Sequence, residues 1–565
     1  MKRYIKYLSI FMLVFSIFVL TSCTYINSLM RIAEGSSQTK KVPNTELSVN
    51  YYVDDVLYKN ETTKDRNTFN FPENPKKEGY NFGGWTYKDS YQTLEISDLI
   101  YKEDTSLNLY AYFSKGTHFK DNLSYNGPYF NKHNLPSFGS PKVLVVPVDL
   151  GGNKTDEMLE KIEVAFTGKS DTKTGFESVS SYYSKSSFGK LNLQFEVLKD
   201  WFKPAKEPSY YEKYDLKNDK YYETGSGLIY NEFLYSYKDK IDFSQYDYDK
   251  DGYIDSVWMI YNVEPNFSDT TFYWAYVTFS QNTSRKYNGC YPRNYAFASY
   301  YFIEEKALEQ KYGKKLEVYD TLDLDAHTYI HETGHLLGLN DYYDSDSTKG
   351  KEGGIYSAGM MDANQGDLNT IDKLLLGWVD PYVVYPNSDN FTYTIGSFTD
   401  TNDVILIAKN KIASIYNEYF LMELYTNTGL NEKDKPIEYP SNNVYVMEQK
   451  LSHTYYDYGI RLLHINAATT TEYEGKTYNM PMTFLYNNST TRTLFADTVV
   501  AGYNRAFESF NTKKCINNYA LFRQPREVIY LTANERYKMT NNSDIFFNFQ
   551  IDSLSSTSAT ITFIM

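Results

Sequence analysis

At 565 residues the chain is too long for one hydrophobic core, so roughly two to four domains are expected. Its apolar fraction of 42% and charged fraction of 23% are ordinary for folded, soluble protein. A net charge of −14 with no basic cluster argues against a nucleic-acid-binding face, while the 59 tyrosines suit sheets that face water.

Lys2, Arg3 and Lys6 form a positive start, and Tyr7 to Leu20 is a nearly unbroken apolar run, too short for a comfortable membrane span. Leu20-Thr21-Ser22-Cys23 follows, which completes the layout of a signal peptide. The four residues resemble the bacterial lipobox. That resemblance implies that residues 1–22 are a lipoprotein signal peptide and that Cys23 becomes the lipidated first residue. The mature chain is then an extracellular lipoprotein on the outer face of the bacterial cell membrane. Only Cys290 and Cys515 remain, neither in a CxxC pair. A disulfide framework or a thiolate metal site is not expected from them; they read as buried, inert thiols, and whether they pair stays open.

Residues 23–45 are mixed and polar and read as a tether. A small β unit is expected over 46–115. Leu47 to Val53 alternates as a strand, Phe71-Pro72-Glu73-Asn74-Pro75 opens a loop, Gly79 to Trp85 (GYNFGGW) follows, and Leu107 to Phe113 closes the unit. This spacing resembles the internalin-type B repeat, a β-grasp module of bacterial surface proteins, with Phe113 where the family more often has Trp. The resemblance implies a spacer or adhesive role, with host or matrix contacts. From about 135 the texture becomes mixed α/β. Val143 to Val148 reads as a buried strand, Asp156 to Ala165 and Phe176 to Tyr183 as helices, and Ser187 to Leu191 as a Gly-containing turn into a strand. Helices are expected over 325–337 and 371–376. Beyond Pro381 the sequence is strand-like to the alternating Ser558 to Ile564.

The chemistry lies in Thr321 to Asp341, which contains His331-Glu332-Thr333-Gly334-His335. Positions four apart on a helix share a face, so both imidazoles can point at one zinc ion. Glu332 beside them is placed to take a proton from the attacking water and return it to the leaving amine. Gly338 lets the helix stop and the chain turn back with positive φ, which brings Asp341 under the metal as third ligand. HExxHxxGxxD resembles the metzincin motif, with Asp where the commoner form has His. Metzincins also need a Met beneath the zinc. Met361, with Met360 as the alternative, is supplied by the stretch Gly353 to Asp362. His327, four residues before His331, cannot converge on the same ion across two turns and reads as a neighbour. Glu352 is the competing third ligand, as in thermolysin-like enzymes.

Asp247-Tyr248-Asp249-Lys250-Asp251-Gly252-Tyr253-Ile254-Asp255 copies the first part of a calcium loop, with Asp at positions 1, 3, 5 and 9 and the Tyr253 carbonyl at 7. Position 12 is Trp258, so it is not an EF-hand, and an acidic solvated turn is the alternative. The domain resembles the immune inhibitor A-type bacterial metallopeptidases in pieces from about 140 to 470. The matching residues are Ser181-Tyr182-Tyr183, Ser187 to Leu191, the HETGHLLGLND segment, Met360-Met361-Asp362, Gly366-Asp367, Lys373 to Trp378, Glu418 to Glu423 and Gly459 to His464. That family has a similar DxDxDGxxD stretch, and it implies fold, zinc and peptidase activity.

The expected fold is an α+β multidomain protein. It comprises the β-grasp repeat, a metzincin-like zinc metalloprotease domain over 135–385 and a β-rich region over 386–565, of which 386–470 belongs with the peptidase region. The expected function is that of a zinc-dependent endopeptidase, with Zn²⁺ held by His331, His335 and Asp341, Glu332 as base and then acid, and a structural Ca²⁺. Its partners are protein or peptide substrates and the membrane, not nucleic acid. The alternatives are an inactive surface adhesin or a calcium-stabilised binding protein on the same fold.

Overall fold

The computed structural model describes residues 42–565 apart from 78–80, 89–93, 95, 101, 103–104, 115–132, 169–175, 215–222, 267–271, 281, 283, 305–323, 345–353, 357, 387, 389–390, 411–413, 434–454, 456, 474, 503–506 and 511–512. The signal-peptide and lipid-site expectations, including Cys23, therefore lie outside the described residues, as does Glu352.

Strands β1 (Leu47–Val53), β2 (Val56–Thr63), β3 (Asn81–Thr86) and β4 (Ser106–Ser114) form a mixed sheet of order β2-β1-β4-β3. The first and last strands run parallel at its centre, with Val49 opposite Leu107. Alternation along β1 puts Leu47, Val49 and Tyr51 on one face. There they pack with Trp85 and with Leu99 of helix α1 (Ile96–Ile100). The Trp85 ring meets Tyr51 edge-on at 4.7 Å.

A second sheet begins with β5 (Lys142–Val148) and continues through β6 (Gln194–Val197), β7 (Val257–Tyr261), β8 (Tyr276–Phe279) and β9 (Asn294–Ser299), in the order β6-β5-β7-β9-β8. The β6, β5, β7 and β9 neighbours are parallel, and β8 joins antiparallel at the edge. A parallel sheet is covered on both faces, which explains the unbroken apolar run in β5. Val143 and Val145 point to one side with Trp258 and Ile260, against helices α2 (Asp156–Thr167), α3 (Val179–Ser186) and α5 (His327–Leu336). Leu144, Val146 and Val148 point to the other side with Met259 and Phe297, against α4 (Gly225–Tyr237).

The region after Pro381 is built mainly of strands. One five-stranded sheet runs β10 (Tyr382–Val384), β12 (Ile405–Ile407), β13 (Glu418–Tyr425), β14 (Gly459–Asn466) and β15 (Ala496–Val499). A four-stranded sheet runs β11 (Thr392–Gly396), β18 (Ser558–Ile564), β17 (Asn548–Leu554) and β16 (Val528–Ile529). The two share a core through Ile407, Phe420 and Leu462 on one side and Phe549, Ile561 and Phe563 on the other. The opposite face of the five-stranded sheet, carrying Leu406, Leu421 and Leu463, joins the same core as α5 and Met361. The hydrophobic core is therefore continuous past residue 386. Helix α6 (Thr370–Leu375) lies at this junction, where the buried Lys373 Nζ reaches Asp367 Oδ2 at 2.5 Å. Ser186 of α3 donates to Asp367 Oδ1 at 2.6 Å. The Lys373 ammonium also lies 4.7 Å from the Phe398 ring, just beyond β11.

Candidate metal centre and its cleft

Helix α5 carries the HETGH segment. At its start the Asp325 carboxylate accepts the His327 backbone N–H at 3.0 Å and faces the ring Nδ1 at 2.5 Å. The ring stacks on Phe176 at 4.4 Å. His327 is committed there and takes no part in the group formed by His331 and His335. At the far end Gly338 adopts φ +96. Its N–H donates to His335 O at 2.9 Å and the Leu339 N–H to Gly334 O at 3.0 Å, the paired bonds of a Schellman cap. This left-handed turn reverses the chain and delivers Asp341.

Three ligand-type atoms meet. His331 Nε2 lies 3.0 Å from Asp341 Oδ1, His335 Nε2 lies 3.1 Å from the same oxygen, and the two Nε2 atoms are 3.1 Å apart. The group can hold a metal ion. His331 Nδ1 bonds Met360 O at 2.9 Å and His335 Nδ1 bonds Leu339 O at 2.8 Å. A carbonyl only accepts, so each Nδ1 carries its proton and Nε2 is the atom of each ring that faces the group, as a lone pair toward a metal or as an N–H toward Asp341. Three such atoms at this separation need positive charge between them, from a metal ion or from a proton. Zinc bonds of about 2.0–2.1 Å in a tetrahedron put neighbouring ligand atoms roughly 3.3 Å apart, close to what is seen. The donor set fits zinc.

With a proton in the place of a metal ion, the group holds its charge as follows. Burial works against a charged His335, yet the hydrogen bond and charge of Asp341 prevail and lift it to about 9. Burial also opposes the Asp341 carboxylate, but the two imidazoles hold it well below the usual carboxylate range. Glu332 is pushed up by burial, with the two histidines partly offsetting this and Asp341 adding to it. Its Oε2 is buried with no hydrogen-bond partner. Glu332 lines a cleft of about 510 Å³ together with His335, Asp341, Asn134, Val277 and Tyr343. A carboxylate oxygen kept without a partner beside three converging ligands is arranged for a species that arrives from outside.

Met361 is fully buried in the same core as α5. A Cβ on Gly334 would meet its sulfur at 2.4 Å, so the thioether lies directly against the helix between the two histidines. Met360 contributes its carbonyl instead, to His331. Tyr183 of α3 donates from its hydroxyl to Ile330 O at 2.6 Å, and that hydroxyl lies 3.2 Å from the same Gly334 Cβ position, on the side of the helix that Met361 covers. These carbonyl roles were not readable from residue types, since any residue has a carbonyl. Tyr343, whose ring stacks on His331 at 6.5 Å, was also missed, although it stands two residues after Asp341.

The acidic loop forms a second cluster. Ligand atoms of Asp247, Asp249 and Asp255 lie within 4.8 Å of one another. Burial, together with the neighbouring carboxylates, pushes Asp255 up to about 9 and raises Asp247, while Asp249, whose residue is exposed, is raised by the carboxylates beside it. Asp251 departs from the expectation and is not in the group. Its Oδ1 accepts the Tyr253 N–H at 2.9 Å and its Oδ2 lies 2.5 Å from His133 Nδ1. Tyr253 pairs in an isolated bridge with Tyr291. Cys290 is a free, buried thiol that donates to Asp247 Oδ2 at 3.4 Å.

Fold and site together define an α+β protein of several sheets with a three-residue group able to hold a metal at the wall of a cleft. No protein-family model matches the chain, and no curated protein matches it. Among solved structures, wild-type OgpA from Akkermansia muciniphila aligns with 60% of this chain and 94% of its own, at 11% identity and a TM-score of 0.23. A likeness of that size supports no conclusion about fold or activity.

Proposed function

We propose that this protein is a zinc-dependent endopeptidase of the metzincin type, similar to the immune inhibitor A peptidases. The observation that carries the reading is the convergence of His331, His335 and Asp341 beside the partnerless Glu332 oxygen, with His335, Asp341 and Glu332 lining one cleft. When bound there, zinc would polarise the scissile carbonyl and make water a better nucleophile. Glu332 takes the proton of the attacking water on its carboxylate and passes it to the leaving amine. Strand β8 ends its sheet with one unpaired edge among the described residues, and Tyr276 and Val277 line the cleft. An extended peptide can add to that edge through backbone hydrogen bonds. The test is metal analysis with a peptide-library assay on residues 24–565. Glu332→Ala should keep one zinc and the fold while cleavage falls by ~10²–10⁴-fold. Wild-type protein that binds zinc and cleaves nothing would favour the adhesin reading.

The acidic loop is read as a structural Ca²⁺ site on Asp247, Asp249 and Asp255, with the Tyr253 carbonyl as a further ligand. Three carboxylates whose oxygens lie within 4.8 Å of one another favour a cation between them. The sheet order β2-β1-β4-β3 with its central parallel pair supports a β-grasp repeat of the internalin B kind at the N-terminal end. Export and lipidation at Cys23 would place the enzyme on the outer face of the bacterial cell membrane, where protein substrates and host or matrix surfaces are its partners.

A further inference from the structure

One wall of the cleft contains a residue that the metal motif does not predict. His133, Asn134 and Leu135 follow one another, and the first and third are fixed at opposite ends. His133 Nδ1 lies 2.5 Å from Asp251 of the acidic loop, and its ring packs on Tyr253 with centroids 4.0 Å apart. The Leu135 N–H donates to the carbonyl of Leu336, the last residue of α5, at 2.9 Å. Asn134, between them, lines the cleft with Glu332 and His335.

The orientation of the Asn134 amide is set by its neighbour. Asn294, the first residue of β9, is 8% exposed. Its Nδ2 donates one hydrogen to the His133 carbonyl at 3.0 Å. A backbone carbonyl can only accept, so this fixes which atom of Asn294 is the nitrogen. The second hydrogen of that nitrogen goes to Asn134 Oδ1 at 2.9 Å. The oxygen of Asn134 is thereby turned to Asn294, which leaves its Nδ2 as the donor that the amide can offer the cleft. The remainder of that wall is mostly apolar, from Ala275, Val277 and Phe279. A lone donor amide on such a wall gives orientation rather than bulk affinity.

From this geometry we infer that Asn134 is a substrate-orienting residue, whose Nδ2–H donates to a backbone carbonyl of the bound peptide. The inference rests on the peptidase reading above. It adds a residue 160 positions from its partner Asn294 to a site otherwise built from α5 and the turn after it. Asn134 is not a member of the metal group, so its effect should fall on binding and not on proton transfer.

The experiment compares Asn134→Ala and Asn134→Asp with wild type in steady-state cleavage of a peptide from the library screen. The same peptide is also titrated, by fluorescence anisotropy, against Glu332→Gln protein with and without the Asn134 changes. Asn134→Ala should raise KM and Kd about 3–10-fold, the loss of one neutral hydrogen bond, with kcat within about twofold. Asn134→Asp, the same size but an acceptor, should raise both by more than about tenfold, because two acceptors then face each other. Melting temperature and zinc content serve as the check on folding. Unchanged KM and Kd in Asn134→Asp, with wild type cleaving normally, overturn this inference alone, as does a fall confined to kcat. Wild-type protein that neither cleaves peptides nor, as Glu332→Gln, binds them sinks the peptidase reading and this one with it.

Discussion

The sulfur of Met361 stands 2.4 Å from where a Cβ on Gly334 would be. A glycine in the middle of α5, normally a weak point in a helix, is thus the condition for the thioether to pack beneath the two histidines. Alanine at 334 would favour the helix by about 1 kcal/mol. Overpacking a filled core costs about 1–3 kcal/mol, so the clash should win. Gly334→Ala should lower the melting temperature and weaken zinc retention against a chelator. Pairing it with Met361→Ala should restore part of both, a non-additivity expected only of residues in contact. Simple additivity would place Met361 elsewhere.

Lys373 and Asp367 are both buried and paired at 2.5 Å. Removing one partner of such a pair strands the other charge and costs about 3–5 kcal/mol. Lys373→Met should therefore destabilise by that amount in urea unfolding, and Lys373→Met/Asp367→Leu by less than the single change. A single variant as stable as wild type would show that Asp367 finds enough compensation from Ser186 and the Leu368 N–H.

Asp372, fully buried, accepts from the Tyr342 hydroxyl at 2.6 Å and the Asn369 N–H at 3.0 Å, yet burial still pushes it up to about 7. The folded chain then keeps a proton that the unfolded chain has released above about pH 4. The native state binds more protons through that window, so this residue lowers stability as pH rises from about 4 to 7, and adds no slope above it. The stability of Asp372→Asn relative to wild type should rise over the same interval, by an amount on the order of a few kcal/mol. A difference that stays flat with pH would mean that Asp372 is ionised throughout.

Calcium should raise the melting temperature of wild type by mass action on the folded state. Asp249→Ala should abolish the rise. Asp251→Ala should keep part of it, because the Asp251 carboxylate is turned to His133 and the Tyr253 N–H. Equal loss in both variants would return Asp251 to the ligand set.

For the anchor, Cys23→Ser should abolish incorporation of radiolabelled fatty acid into the protein. Labelling that persists in the variant rules out the lipobox.

The metal group was legible because its chemistry is local. Two imidazoles one turn apart, a glycine to end the helix and a carboxylate three residues later are written within eleven positions, and helix geometry does the rest. Strands β1 and β18 were legible for a similar reason, since alternation with period two spells out one buried face. What could not be read depends on pairing across the chain. Asp251 looks like its neighbours in the loop, and His133, 118 positions away, helps to draw it out of the group together with the Tyr253 N–H. Asn134 belongs to no motif and reaches the cleft through Asn294 and Leu336. That 386–470 goes with the peptidase region was expected from the family resemblance alone, because a strand buried on both faces says nothing of what covers each.

The pairing of β11 with β18 has a bearing on how the protein is made. Thr392 lies beside Thr562 and Gly396 beside Ser558, so a strand made early in this region has its partner some 170 positions later. A chain emerging N-terminus first must hold β11 and the apolar face around Phe420 open until β18 arrives. Closing so long a loop is slow relative to local helix and hairpin formation. If the chain is threaded through a membrane before it folds, that delay is harmless on the inside and hazardous on the outside, where the unclosed edge would be the first backbone that a neighbouring protease meets.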